Sequence, residues 1–161
     1  MTASPAQREL VIGVISDTHG LMRPEALAAL VGVDQIIHAG DIGSPEVLAA
    51  LEAVAPLTAI RGNNDHFPWA RRLPATATVE TNGARLYVLH DVHELGLDAR
   101  AAGFNAVVAG HSHRPTVGER DGVLFVNPGS AGPRRFTLPV AVARLYVRRG
   151  QLRGEIVLLD V

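Results

Sequence analysis

The sequence predicts an α/β fold: mixed β-sheets packed face to face with helices outside, in a single domain over residues 1–161. Three observations predict it. Apolar runs alternate with stretches of helical periodicity through about residue 60, a βαβαβ opening. Short β-rich runs joined by hairpin signals then take over. Hydrophobic residues make up 47% and charged ones 19%, the balance of a compact globular chain, and with aromatics at 4% the core must be built from Val, Leu, Ile and Ala.

Each element has its own signal. Leu10 to Ile15 is an apolar run entering the polar loop Ser16-Asp17-Thr18-His19-Gly20, the pattern of a buried strand. Pro24 starts a helix in which Leu27, Leu30 and Val31 share a face. Gln35 to His38 is the second strand, ending in Ala39-Gly40-Asp41. Ser44 is suited to cap a helix with Pro45 at its first position, and Val47, Leu51 and Val54 recur at helical spacing. Residues 57–60 form a third strand before Arg61-Gly62-Asn63-Asn64-Asp65. Residues 76–80 and 85–89 flank Thr81-Asn82-Gly83-Ala84, where Asn-Gly favours a tight hairpin. A short helix is expected over 97–102 and a strand over 105–109, ending in Gly110-His111-Ser112-His113. Strands over 123–126, 140–147 and 152–159 complete the chain, the last two joined at Arg148-Arg149-Gly150-Gln151.

Composition excludes several functions. A net charge of −1 gives no global attraction to nucleic acid or an anionic membrane, and no basic stripe with stacking aromatics is visible. With 0 cysteines, thiol nucleophiles, disulfide frameworks and cysteine-zinc sites are absent. Met1 to Leu10 lacks the apolar stretch of a signal peptide, and no run is long and apolar enough to span a bilayer. A cytoplasmic protein is expected, with no nucleic-acid or membrane partner.

The chemistry gathers after five strands: Asp17 and His19, Asp41, Asn63, His90, and His111 with His113. Ligands in open α/β sheets bind beyond the carboxyl ends of strands, so residues remote in sequence can meet on one rim. Each pair alone has a bland reading: Asp-x-His as a loop cap, Gly-Asp and Gly-Asn as turns. The ordered set is far more specific. Carboxylate, imidazole and amide oxygen suit Mn²⁺, Fe or Zn²⁺. A bridging carboxylate can hold two cations about 3.5–4 Å apart, a spacing that clamps a phosphate and activates a shared hydroxide.

Asp17-x-His19, Gly40-Asp41, Gly62-Asn63, His90 and Gly110-His111-Ser112-His113 together resemble the calcineurin-like metallophosphoesterase superfamily. The length, the opening Val14-Ile15-Ser16-Asp17-Thr18-His19-Gly20 and the late Asn127-Pro128-Gly129-Ser130 are similar to its small YfcE-type phosphodiesterase branch. The resemblance implies a sandwich of two mixed sheets with flanking helices, the α/β/β/α metallophosphoesterase fold. It also implies a first metal on Asp17, His19, Asp41 and His113. A second falls to Asp41, Asn63, His90 and His111, with Asp41 bridging. Asp41, Asn63 and His90 would act by positioning the metals, and a bridging hydroxide would attack phosphorus. Mn²⁺ is favoured, with Fe, Ni²⁺, Co²⁺, Zn²⁺ and Mg²⁺ compatible, and a homodimer or homotetramer is expected.

Two departures bear on the substrate, expected to be a small phosphate ester. Many superfamily members place a histidine after Asn63, where it protonates the leaving alkoxide; here the residue is Asn64, which cannot act as an acid. Esters with good leaving groups, aryl phosphodiesters above all, should therefore turn over fastest. Asp91 follows His90 where Gly is usual. Asn64, Arg61 and Arg114 are candidate substrate contacts, His66 and His93 are read as exposed loop residues, and His38 as a hydrogen-bonded core histidine. Arg134-Arg135 reads as a solvated turn. The competing functions are a phosphomonoesterase on a small metabolite and a non-catalytic Vps29-like interaction scaffold. A complete set of ligands argues against the scaffold.

Overall fold

A computed structural model describes residues 8–161; residues 1–7, on which part of the no-leader expectation rests, lie outside the described residues. The opening follows expectation as β1 (Leu10–Ile15), α1 (Pro24–Ala29), β2 (Gln35–His38), α2 (Pro45–Glu52) and β3 (Leu57–Ala59). There follow β4 (Thr76–Thr81), β5 (Ala84–Leu89), β6 (Ala106–Val108), β7 (Thr116–Arg120), β8 (Val123–Asn127), β9 (Ala141–Arg148) and β10 (Gln151–Leu158). The strands form two five-stranded sheets, ordered β10-β9-β1-β2-β3 and β4-β5-β6-β8-β7. Both are mixed: β1, β2 and β3 run parallel while β9 and β10 are antiparallel additions, and β5, β6 and β8 run parallel between antiparallel β4 and β7. Among the described residues no helix is long and apolar enough to cross a membrane.

Period-two patterning sets the layers. Ile12 and Val14 of β1 join Leu145 and Val147 of β9, Leu86 and Val88 of β5, and Val108 of β6 in an apolar layer between the sheets. Ile15 and Val142 face the other way, packing with Leu30, Val47 and Leu51 from the α1 and α2 segments. Leu89, Phe104, Val107 and Val123 line the outer face of the second sheet.

Two local expectations need correction, and two details go beyond the sequence reading. No helix forms over 97–102. One turn closes there, Ala102 N–H to the Asp98 carbonyl at 2.9 Å, and left-handed Gly103 (φ 83) stops it. Turns and a 3₁₀ segment at Val92–Glu94 thus cover the second sheet where a helix was expected. Val31 is 66% exposed because α1 ends before the turn that would have carried it inward. Ser44 sits at the N-cap of α2 without a side-chain capping bond. Strand β7 went unread because all five of its residues are exposed, so no apolar alternation marks it.

Candidate metal centre

The candidate ligands project from the carboxyl ends of β1, β2, β3, β5 and β6, and backbone bonds stitch those loops together. The Asp17 and His19 N–H groups donate to the Gly40 and Asp41 carbonyls at 3.0 Å each, and Gly110 N–H donates to the His90 carbonyl at 2.9 Å. Glycine permits the contact: a Cβ on Gly62 would collide with the Asp41 carboxylate, and one on Gly110 with the Ser16 hydroxyl and the Asp17 carboxylate. Asp17, His19, Asp41, His111 and His113 all adopt left-handed backbone (φ 55, 48, 57, 69 and 62). Such strain in non-glycine residues gathers where function demands a fixed geometry.

The side chains fall into two groups of three, Asp17, His19 and His113, and Asp41, His90 and His111, each with ligand atoms within 4.8 Å of one another. Asp41 Oδ2 lies 3.3 Å from His90 Nε2 of its own group and 3.8 Å from His19 Nε2 of the other. Asp17 Oδ1 lies 3.3 Å from His113 Nε2 and 3.8 Å from both His19 Nε2 and His90 Nε2. Asn63 is exposed and lines a cleft of about 460 Å³ together with Arg61, His90, Asp91, Glu94 and His111.

Asp17 Oδ1, His19 Nε2 and His90 Nε2 are buried with no hydrogen-bond partner. An unsatisfied buried polar atom costs about 1–3 kcal/mol, and these three are carboxylate and imidazole atoms of the types that ligate divalent metals, so the donor set fits such ions. Electrostatics agrees. Burial would raise the Asp17 carboxyl, but His113 and the Ser16 hydroxyl (2.6 Å from Oδ2) hold it below the usual range. Asp41 is likewise held low against burial by His90 and the Asn64 backbone N–H. His90 is raised to about 9: burial opposes the charge, while Asp41, Asp17 and the Ala39 carbonyl favour it. His19 is lowered, chiefly by burial.

The other singled-out residues take definite places. Asn64 turns to Asp41, its backbone N–H donating to Oδ1 at 2.9 Å and its Nδ2 to Oδ2 at 3.1 Å. Arg61 lines the cleft while its guanidinium donates to the Leu73 carbonyl. Arg114 is exposed and is not among the residues lining that cleft. His38 is fully buried, as expected of a core histidine. Gly40 N–H donates to Nδ1 at 3.1 Å, so Nε2 carries the proton and donates to Thr18 Oγ1 at 3.0 Å. Burial lowers its pKa to about 4. Arg135, expected in a solvated turn, is exposed yet close enough to His19 to oppose its protonation.

Several supports hold the ligand loops in place, and Asp65 among them escaped sequence reasoning. Buried Asp65 accepts the N–H groups of Ile42, Gly43 and Gly62 at 3.0, 3.2 and 2.8 Å, joining the second and third ligand loops. Its N–H closes the Gly62-Asn63-Asn64-Asp65 turn on the Gly62 carbonyl at 3.2 Å, and its place in that turn was the available signal. Ser130 Oγ donates to the Asp17 carbonyl at 2.9 Å, and Asn127 Nδ2 donates to the Gly110 carbonyl at 2.8 Å and to Ser112 Oγ at 3.0 Å.

A family model for the calcineurin-like phosphoesterase superfamily domain matches residues 10–150. The chain belongs to this superfamily. As a calcineurin-like phosphoesterase it is 33% identical over 160 residues to a probable metallophosphoesterase of Methanothermobacter thermautotrophicus, with 92% of each chain covered. A solved archaeal phosphodiesterase superimposes with a TM-score of 0.76 at 25% identity, covering 92% of this chain and 100% of that one. Vps29 of Chaetomium thermophilum superimposes with a TM-score of 0.75 at 20% identity over 94% of this chain and 98% of that one, a likeness of fold alone. Calcineurin-like phosphoesterases are metal-dependent hydrolases, in keeping with the two donor groups.

Proposed function

We propose that this phosphoesterase is a di-metal phosphodiesterase acting on a small phosphate ester. The observation that carries the reading is the convergence of unpartnered, buried ligand atoms from separate strand ends. In this reading Asp17, His19, Asp41 and His113 hold one divalent ion and Asp41, Asn63, His90 and His111 the other. The placement of Asp41 Oδ2 between His19 and His90 supports a bridging role. Mn²⁺ is the favoured ion, and a cytoplasmic homodimer or homotetramer completes the proposal.

When bound, the ions supply Lewis-acid neutralisation of phosphoryl charge and an activated water. The chain does the positioning. Asn64 clamps both Asp41 oxygens. His90 Nδ1, 2.7 Å from the Ala39 carbonyl, donates its proton there, which leaves Nε2 as the atom aimed at the centre. That nitrogen must release its proton when an ion loads. No side chain in the Asn63-Asn64 turn can protonate a leaving alkoxide, so a leaving group stable as an anion is favoured. The completeness of the donor set speaks against a non-catalytic scaffold.

The test is bis(p-nitrophenyl) phosphate hydrolysis by metal-stripped protein, with Mn²⁺, Mg²⁺, Zn²⁺, Ni²⁺ and Co²⁺ restored singly. Mn²⁺ should restore turnover and Asp41→Asn should prevent it. Failure of every ion to restore activity would end the proposal.

A further inference from the structure

The second donor group borders the cleft of about 460 Å³ that Asn63, Tyr87, Asp91, Glu94 and Arg61 line, a size suited to a small organic ligand. Asp91 is fixed in its wall. One carboxylate oxygen, Oδ1, accepts the His93 backbone N–H at 3.0 Å and lies 3.0 Å from the His93 ring Nδ1. The other, Oδ2, is turned toward His111 Nε2 at 3.7 Å, on the side of the candidate ligands. Glu94, one turn further on, adds a second carboxylate to the same wall. Arg61, which also lines this cleft, donates to the Leu73 carbonyl and so is held by the protein rather than by either acid.

We infer that Asp91 is a specificity-determining residue: it makes the cleft select phosphodiesters whose alcohol arm is neutral or cationic and reject phosphates bearing a second negative charge. The inference rests on the phosphodiesterase reading and deepens it. A fixed carboxylate repels an added anion brought within several ångströms, and in a half-buried cleft that repulsion is worth roughly tenfold in affinity. A cationic arm gains from the same carboxylate and from Tyr87, which also lines the cleft.

The experiment compares wild type, Asp91→Asn and Glu94→Gln, each Mn²⁺-loaded with metal content measured, on p-nitrophenyl phosphate, bis(p-nitrophenyl) phosphate and p-nitrophenyl phosphorylcholine. Asparagine keeps the oxygen that receives the His93 N–H, so the turn is retained. Asp91→Asn should raise kcat/KM for the monoester relative to the bis ester about tenfold and lower that for the phosphorylcholine ester relative to it. Glu94→Gln should shift both ratios the same way by less. Ratios within twofold of wild type in both variants would overturn the inference. Calorimetric binding of ethyl phosphate and diethyl phosphate separates it from the parent reading. If no ester turns over, the phosphodiesterase reading fails, yet a preference for diethyl phosphate that narrows about tenfold in Asp91→Asn still supports charge selection. An unchanged preference overturns it.

Discussion

Asn64 holds Asp41 by both ends: its backbone N–H donates to Oδ1 at 2.9 Å and its side-chain amide to Oδ2 at 3.1 Å. Asn64 is thus a clamp on the carboxylate proposed to bridge the metals. Asn64→Ala keeps the backbone bond and frees Oδ2. Metal affinity should fall roughly 10- to 100-fold, the usual cost of losing a partner that orients a ligand. A Mn²⁺ titration followed by calorimetry checks this; wild-type affinity in the variant would refute the clamp.

Asp65 predicts a larger structural effect. Its carboxylate receives three N–H groups from the loops carrying Asp41 and Asn63. Asp65→Ala strands those donors at about 1–3 kcal/mol for each group that water cannot reach. Urea unfolding should show a loss of at least about 2 kcal/mol, and metal binding should weaken although no proposed ligand has changed.

Stability of the metal-free protein should peak near pH 6.5. His38 titrates near 4 when folded against an ordinary 6.5, so between those values the unfolded chain binds more protons. That contribution is complete above pH 6.5 and is lost as pH falls toward 4, about 3 kcal/mol in all. His90 works oppositely: raised to about 9, it stabilises fully below pH 6.5, and this is lost as pH rises through 9. Urea midpoints from pH 4.5 to 9.5 test both limbs. His38→Gln should flatten the acid limb and His90→Gln the alkaline one; a midpoint climbing steadily to pH 9.5 contradicts the assignment.

Metal loading should stabilise the fold, since the ions relieve unpartnered Asp17 Oδ1, His19 Nε2 and His90 Nε2. At a hundredfold excess over Kd the gain is about 2.7 kcal/mol. For a domain of this size that is a rise in Tm of roughly 5–10 °C. Thermal unfolding after chelation and again with Mn²⁺ measures it. An unchanged Tm with every divalent ion tried means the donors hold none.

Leaving-group chemistry gives the last expectation. With Asn64 engaged on Asp41 and unable to give up a proton, an aryl phosphodiester should react faster than an alkyl phosphomonoester, by at least tenfold in kcat/KM. Equal rates on the two would mean that a general acid operates in the site.

What the sequence determined by itself was local. The apolar run at Leu10–Ile15, the Pro24 and Pro45 helix starts and the hairpin at Asn82-Gly83 (φ 50 and 83) are fixed by neighbours along the chain, and they stand as read. The donors after the strands were legible for the same reason: a strand end is visible in sequence, and metal ligands come in few residue types. Tertiary structure decided whatever depends on partners distant in the chain. The insertion of β1 between β2 and β9 and the edge position of β7 follow from packing that no local pattern encodes. So do the tasks of Asn64 and Asp65. Side by side in one turn they look interchangeable, but the turn sends one to a carboxylate and the other to three N–H groups, because hydrogen-bond partners are chosen by position in space.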